Sequence, residues 1–248
     1  MSDIQSLILL FLVGAVSGFI NVNAGGGSSL TLPTLIFLGL DSALANGTNR
    51  ISILIQSFTA VSSFKKEKYS DFTLSLKIAW LTLPGSIVGS LLVINLSDEV
   101  FEKVLGAVMI GIVLSMVIPR KKVLEIENNS NVTWPVYLAM FFIGFYGGFI
   151  QVGVGFILMA VLQYLMKLNL VLVNMHKVFI VMIFTVPATI VFIATGNIDW
   201  PMALVLAAGN SLGAWWAAKF AVKKGEKLIR VVLITAILIM SLKLFEIF

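Results

Sequence analysis

The sequence predicts an all-α membrane protein that crosses the bilayer eight to ten times and consists of two inverted repeats of about five helical segments each. Three observations carry this prediction: an apolar composition, two long uncharged stretches at matching places, and basic residues grouped in short loops. Hydrophobic residues make up 59% of the 248 residues, whereas a soluble domain is about 45–50% apolar. With a mean hydropathy of +1.03 and only 12% charged residues, no stretch is polar enough to form a soluble domain.

The two uncharged stretches run from residue 4 to 40 and from 128 to 166. As one straight helix, about 37 residues would span roughly 55 Å, but the hydrocarbon core of a bilayer is about 30 Å thick. Each stretch must therefore break, and its polar, Gly-rich centre marks the break: Asn-Val-Asn-Ala-Gly-Gly-Gly-Ser-Ser at 21–29 and Gln-Val-Gly-Val-Gly at 151–155. Interrupted apolar segments at corresponding places in two halves are the best sequence indication of a transporter's binding site.

Ten apolar segments follow one another along the chain. In order they cover residues 4–22, 28–40, 43–64, 72–96 and 101–118 in the first half, and 134–152, 156–166, 171–196, 200–222 and 228–248 in the second. The second and seventh segments are too short for an upright crossing, which needs about 20 residues. We expect these two to be the short arms of broken helices. Pro84 and Pro187 predict kinks in the fourth and eighth segments, because proline removes a helical hydrogen bond.

The two halves correspond residue by residue around their breaks. At a single offset, Gly14, Gly18, Phe19, Ile20, Asn21, Val22 and Gly25 match Gly144, Gly148, Phe149, Ile150, Gln151, Val152 and Gly155. After a small gap the correspondence continues with Asn46 and Asn174, and with Gly85, Gly89 and Gly209, Gly213. The paired glycines, four residues apart, are typical of membrane helices that approach closely. The sequence therefore predicts an N-terminal repeat at 1–118, a cytoplasmic linker at 119–133 and a C-terminal repeat at 134–248.

Three basic clusters indicate how many times each half crosses. They lie at 65–68, 120–122 and 219–230. If each half crosses five times and the N-terminus is outside, all three clusters face the cytoplasm, as the positive-inside rule requires. Four crossings per half would place the third cluster on the opposite side. Five crossings are therefore favoured, and an odd number inverts the second half relative to the first.

The two breaks hold the first group of candidate substrate-binding residues. Backbone amides at the start of a helix, with the positive end of its dipole, favour an anion. Irregular backbone within a membrane is tolerated only inside protein or facing a water-filled cavity. A tight turn between packed helices is the alternative interpretation, but the polar side chains in the turn favour a site. The candidates are Asn21, Asn23, Gly25, Gly26, Gly27 and Ser28 at the first break, and Gln151 and Gly153 at the second.

The third and eighth segments begin with a second group of candidates: Asn46, Thr48, Asn49, Arg50, Asn174, His176 and Lys177. Arg50 lies about 20 Å along its helix from Lys65, at a depth where a cation is costly and faces a cavity or a partner. Snorkelling to the outer interface is the alternative. No acidic residue lies deep in a segment to pair with Arg50 or Lys177, so we expect an anionic ligand. His176 is interpreted as a ligand contact, a titrating group or a packing residue.

Several functional classes are excluded. The chain has no cysteine and one histidine, which excludes disulfides and a multi-histidine metal site. No segment carries a Ser/His/acid set, so we expect no enzymatic activity and no cofactor. The net charge of +5 arises in the loops, as in other membrane proteins, and indicates no nucleic-acid partner.

These features resemble the sulfite exporter TauE/SafE family, also called the toluene sulfonate uptake permease family. The resemblance lies in the Gly-rich element after the first helix of each half, in the Ala-x-x-x-Gly-Thr-Asn pattern at 43–49 and in the later Gly-x-x-x-Gly helices, and it covers nearly the whole chain. The second half departs from the family at 175–177, where Met-His-Lys replaces a Gly-Thr-like element. The resemblance implies a carrier in a bacterial or archaeal inner membrane for small sulfur-containing anions such as sulfite, sulfoacetate or other sulfonates.

The sequence therefore predicts a secondary transporter of a small anion, and the resemblance implies an organosulfur compound. Alternating access between two inverted repeats is the expected mechanism. An anion channel and a non-transporting membrane scaffold subunit are the alternatives. The coupling ion (H⁺ or Na⁺), the direction of transport and a homo-oligomeric state are left open.

Overall fold

A computed structural model describes residues 3–70, 72–117 and 132–220, and within these ranges the regular structure is entirely helical. The helices are α1 (Asp3–Ala24), α2 (Ser28–Phe37), α3 (Ser42–Lys66), α4 (Thr73–Ala79), α5 (Leu83–Val93), α6 (Asp98–Val117), α7 (Trp134–Phe149), α8 (Val154–Ala160), α9 (Leu170–Ala194) and α10 (Trp200–Phe220). Each of the first nine predicted segments corresponds to described helix. The predicted tenth segment, 228–248, and most of the predicted linker lie outside the described residues.

The described helices are those of a membrane protein. Three stretches are long and apolar enough to cross a bilayer by themselves: Ile4–Ala24, Thr73–Val93 and Leu170–Ala194. The second of these comprises α4, one 3₁₀ turn and α5; the turn ends two residues before Pro84, which lacks the N–H that a continuous α-helix needs. Large apolar side chains such as Phe58 and Ile190 are more than half exposed, as expected where a helix faces lipid. The prediction of an all-α membrane protein is confirmed.

Glycines bring α1 and α10 into backbone contact. A Cβ atom on Gly18 would lie 2.0 Å from the carbonyl oxygen of Asn210, and one on Gly213 would lie 1.9 Å from that of Ala15. Gly14 and Gly209 are also crowded by backbone of the other helix, at 2.8 Å and 2.2 Å. Since no side chain separates the helices, van der Waals contact extends along both backbones. The residue numbers of the contacts rise together, so α1 and α10 run in the same direction.

The helices α5 and α7 repeat this packing with the corresponding residues. A Cβ atom on Gly148 would lie 2.1 Å from the carbonyl oxygen of Ser86, and one on Gly89 would lie 2.1 Å from that of Phe145. Gly85 and Gly144 complete the interface. The first helix of each half (α1 or α7) therefore packs, in parallel, against the fourth segment of the other half (α10, or α4 with α5). The predicted close approach at the four glycine pairs is confirmed.

Apart from α6, the long helices fall into two sets, and the helices of each set run in the same direction. Thr48 of α3 contacts the start of α10 and Ser63 contacts Trp215 farther along it, so α3 runs parallel to α10 and α1. On the other side, α9 runs parallel to α4 and α5, because Ser75 bonds His176 while Ser86 bonds Phe184.

The two sets run antiparallel to each other. The loop after α9 touches the beginning of α3, where a Cβ atom on Gly47 would lie 1.9 Å from the Asn197 carbonyl. The beginning of α9 packs near the end of α3, where Met175 and Phe64 share a core cluster. The corresponding helices α1 and α7 thus run in opposite directions.

The short helices α2 and α8 return the chain across part of the molecule. Because α1 and α3 run in the same direction, α2 must bring the chain back between them, and α8 does the same between α7 and α9. Each break therefore forms the tip of a helical hairpin. At the far end of α3 and α10, Lys66 and Lys219 lie over the same Trp215 ring, at 4.5 Å and 5.2 Å from its centroid. The described parts of the first and third basic clusters therefore share one face.

Candidate functional site

The tips of the two hairpins cross at a pair of corresponding glycines. Gly25 has a φ of +86°, and a Cβ atom built on it would lie 2.5 Å from the carbonyl carbon of Gly155. A Cβ atom on Gly155 would lie 2.4 Å from the Cα atom of Gly25. At the second break Gln151 (φ +62°) and Gly153 (φ +74°) are also left-handed. A left-handed glutamine is strained, and such strain concentrates at functional sites.

A small cavity lies beside this crossing. Its lining comes from both halves and comprises Asn21, Ser28, Ile53, Gln56, Ser57, Gln151, Val154, Gly155, Lys177, Val178 and Val181. The cavity measures about 10 Å³, roughly the space that one water molecule needs. A larger ligand would therefore require the surrounding helices to move apart.

The polar side chains of the lining form hydrogen bonds within each half. Asn21 Nδ2 donates to Gln56 Oε1 at 3.3 Å, and Gln151 Nε2 donates to Thr185 Oγ1 at 2.9 Å. Gln151 is 1% exposed, and its Oε1 has no hydrogen-bond partner among the described residues. A buried polar atom without a partner is costly, so Gln151 has unused hydrogen-bonding capacity at the cavity.

Lys177 supplies the positive charge of the lining, and no acidic residue belongs to that set. Its side chain is 2% exposed. The ammonium group donates to the carbonyl oxygen of Val22 and to Asn174 Oδ1, both at 2.8 Å, and lies 3.7 Å from Met159 Sδ. Val22 belongs to the last turn of α1, where carbonyl groups lack helical partners and the helix dipole is negative.

Arg50 is fully buried but lies outside the cavity lining. Its guanidinium group donates to the carbonyl oxygens of Gly147 at 2.7 Å and Gly148 at 2.6 Å, at the end of α7. It also bonds Asn46 Oδ1 at 3.3 Å, and its Cζ atom lies 5.1 Å from the centroid of the Phe192 ring. The interpretation that Arg50 and Lys177 lack partners is therefore wrong: both bind the carbonyl ends of interrupted helices.

Thr48 and His176, which correspond in the two halves, also occupy corresponding structural positions. Thr48 Oγ1 accepts a hydrogen bond from the backbone N–H of Asp199, at the start of α10. His176 Nδ1 lies 2.6 Å from Ser75 Oγ, near the start of α4. Neither belongs to the cavity lining. Each links the third helix of its own half to the fourth helix of the other half.

The other predicted residues support the breaks. Asn23 Nδ2 donates to the carbonyl of Phe19, Asn46 Nδ2 donates to that of Phe149, and Asn49 Oδ1 accepts from Thr31 Oγ1. The backbone amides at the first break are partly used, since those of Gly25 and Ser29 donate to nearby carbonyls. The Gly26 carbonyl accepts from Ser29, and Gly27 is crowded by Ser17. These contacts hold the turns in place.

Of the predicted candidates, the structure brings Asn21, Ser28, Gln151 and Lys177 together at the cavity. Substrate contact by these four, and by the remaining candidates, stays a prediction. Gln56 and Ser57 line the cavity but are not among those candidates. Polar residues on the otherwise apolar helix α3 are the signal that sequence offers for them.

Comparison with known proteins identifies the family. The model of the sulfite exporter TauE/SafE family matches residues 10–244. A probable membrane transporter protein of Haemophilus influenzae is 29% identical over 97% of this chain and 95% of its own length. The probable membrane transporter protein YfcA of Escherichia coli K12 is 30% identical over 95% of this chain and 88% of its own length. No solved structure gives a significant match. The chain belongs to the TauE/SafE family of membrane transporters.

Proposed function

We propose that the protein is a secondary transporter of a small anion, and that the anion binds where the two hairpin tips cross. The observation that carries the proposal is the position of Lys177: a buried ammonium group in the lining of a cavity to which both halves contribute and in which no acidic residue takes part. A charge at that depth is costly and marks functional sites in membrane proteins.

The neighbouring groups suit an anion. Asn21, Ser28 and Ser57 can each donate a hydrogen bond from a side chain. The amide of Gln151 can turn its NH₂ group toward the cavity, because its oxygen there has no partner among the described residues. The proposed substrate is a small sulfur-containing anion (a sulfonate, sulfoacetate or sulfite), and the family's name, sulfite exporter, supports this class.

Alternating access between two inverted repeats, 1–118 and 134–248, is the proposed mechanism. Three features support it: the corresponding glycine interfaces, the opposite directions of α1 and α7, and the contact between Gly25 and its counterpart Gly155. A pseudo-two-fold axis would bring corresponding residues together in this way. The small cavity of about 10 Å³ would widen to each side in turn as the repeats rock.

We place the end with Lys66 and Lys219 on the cytoplasmic side of a bacterial or archaeal inner membrane and the N-terminus outside, by the positive-inside rule. The protein has no cysteine, so single cysteines can be introduced without background labelling. In inverted or intact vesicles, a membrane-impermeant maleimide should reach Lys66→Cys and Lys219→Cys from the same side, and Glu99→Cys from the other. Labelling of Lys66→Cys and Lys219→Cys from opposite sides would contradict this topology.

The substitution Gln151→Glu tests the site directly. It keeps the size of the side chain but adds a negative charge to the cavity, and at about 4 Å and an effective dielectric constant of 20 such a charge repels an anion by about 4 kcal/mol. We expect sulfonate or sulfite uptake into proteoliposomes to fall at least about 100-fold.

The matched control is Gln163→Glu, at a half-buried position outside the cavity lining. It should keep uptake within a few-fold of the wild type. Equal uptake by the Gln151 and Gln163 variants would place the substrate elsewhere. Anion current that does not saturate with concentration would indicate a channel instead of a transporter.

A further inference from the structure

Each interrupted helix ends on a cation that the other half of the protein supplies. At the end of α1, the Val22 carbonyl accepts from Lys177 of α9 at 2.8 Å. At the end of α7, the Gly147 and Gly148 carbonyls accept from Arg50 of α3 at 2.7 and 2.6 Å. Both cations are almost completely buried.

These helix ends form cation sites for a general electrostatic reason. The last carbonyls of a helix have no partner within it and carry the negative end of its dipole. Bulk water does not reach them in the membrane interior, so they require another donor or cation. In transporters with discontinuous helices, such ends and the unwound carbonyls beside them coordinate Na⁺.

The cation that binds the helix end comes from positions that do not correspond in the two halves. Asn46 and Asn174 correspond, and each places its Oδ1 on the local cation, at 3.3 Å from Arg50 and 2.8 Å from Lys177. Counting on from this pair, however, Lys177 corresponds to the neutral Asn49, and Arg50 to the apolar Val178. The feature common to both sites is a positive charge against a helix end and an asparagine oxygen.

We infer that the ammonium group of Lys177 occupies a monovalent-cation site formed by the Val22 carbonyl and Asn174 Oδ1, and so replaces a coupling sodium ion. The ammonium group lies 2.8 Å from both of these oxygens and 3.7 Å from Met159 Sδ. The site borders the cavity, since Lys177 also lines it. For transport, the inference rests on the proposed function. It then predicts that anion uptake proceeds without Na⁺.

The variant Lys177→Ala tests the site without any substrate. Alanine keeps Cβ, so the missing part of the side chain is propylammonium. Added propylammonium should raise the Tm of the purified variant in a saturable way, by about 3 °C or more, and leave the wild type unchanged at equal ionic strength. Neither 1-propanol, which lacks the charge, nor tetramethylammonium, which lacks N–H donors, should do so. A folded variant that responds equally to all three compounds would overturn the inference.

A second measurement uses the wild type, so the inference stays testable if the variant does not fold. Replacing Na⁺ by choline should leave both its Tm and its anion uptake unchanged. A specific requirement for Na⁺ would show that this site does not replace the coupling ion. Because the Tm measurements need no anion, failure of the organosulfur proposal would leave their outcome unaffected.

Discussion

Replacing Arg50 by methionine should destabilise the protein by about 3–5 kcal/mol, because it removes one side of a buried charge-assisted contact while the other side remains. The carbonyls of Gly147 and Gly148 belong to the backbone and cannot be removed with their partner. Desolvation of the guanidinium group offsets part of its benefit, but two buried carbonyls left without donors cost about 1–3 kcal/mol each. The Tm of the purified protein measures the loss, at about 2–4 °C per kcal/mol for a chain of this size.

Arg50→Lys is the informative control. Lysine keeps the positive charge but offers a single nitrogen in place of the planar fork that bonds Gly147 and Gly148 together. It should therefore fall between the wild type and methionine in Tm. If Arg50→Met were as stable as the wild type, the guanidinium group would have no structural role, and substrate contact would become its best explanation.

The case of Arg50 shows what the sequence leaves undetermined. From the sequence, its depth in the membrane and the need for a partner follow from the distance to Lys65. In a sequence, however, only acidic side chains can be recognised as partners for a cation. Backbone carbonyls belong to every residue and give no sequence signal. The carbonyl partners at the end of α7 can be identified only from the packing of α3, in one half, against α7, in the other.

The glycine pairs, in contrast, were predictable from the sequence. The spacing of Gly14/Gly18 and its counterparts encodes a contact that depends on the absence of side chains, so it can be recognised within one helix. The interrupted helices were predictable as well, because the length of an uncharged stretch against the thickness of a bilayer forces a break.

The lining of the cavity was only partly predictable. Asn21 and Gln151 lie at the breaks themselves and stand out as polar residues. Gln56 and Ser57 lie two turns beyond the polar start of α3, and only the packing of α3 against α1 brings them to the site. The packing of α3 against α1, which the sequence does not encode locally, determines these members.

Substituting Gly25 by alanine should disrupt the crossing of the two hairpins and cost several kcal/mol of stability, together with transport. A Cβ atom there would lie 2.5, 2.7 and 2.9 Å from three backbone atoms of Gly155 and Phe156. Backbone atoms cannot move away by a change of rotamer, so the two tips must separate. Their separation would disturb the adjoining cavity, to which Gly155 contributes. Both Tm and anion uptake measure the effect.

Gly39→Ala separates this steric effect from backbone strain. Gly39 has a φ of +97°, comparable with the +86° of Gly25, so alanine pays a similar left-handed penalty of about 1–2 kcal/mol at either position. A Cβ atom on Gly39, however, has no neighbour within 4 Å. The excess loss of Tm at Gly25 over Gly39 therefore measures the contact between the hairpin tips. Equal losses of Tm would mean that the two hairpin tips do not contact each other in the membrane. The site proposed at their crossing would then lose its structural basis.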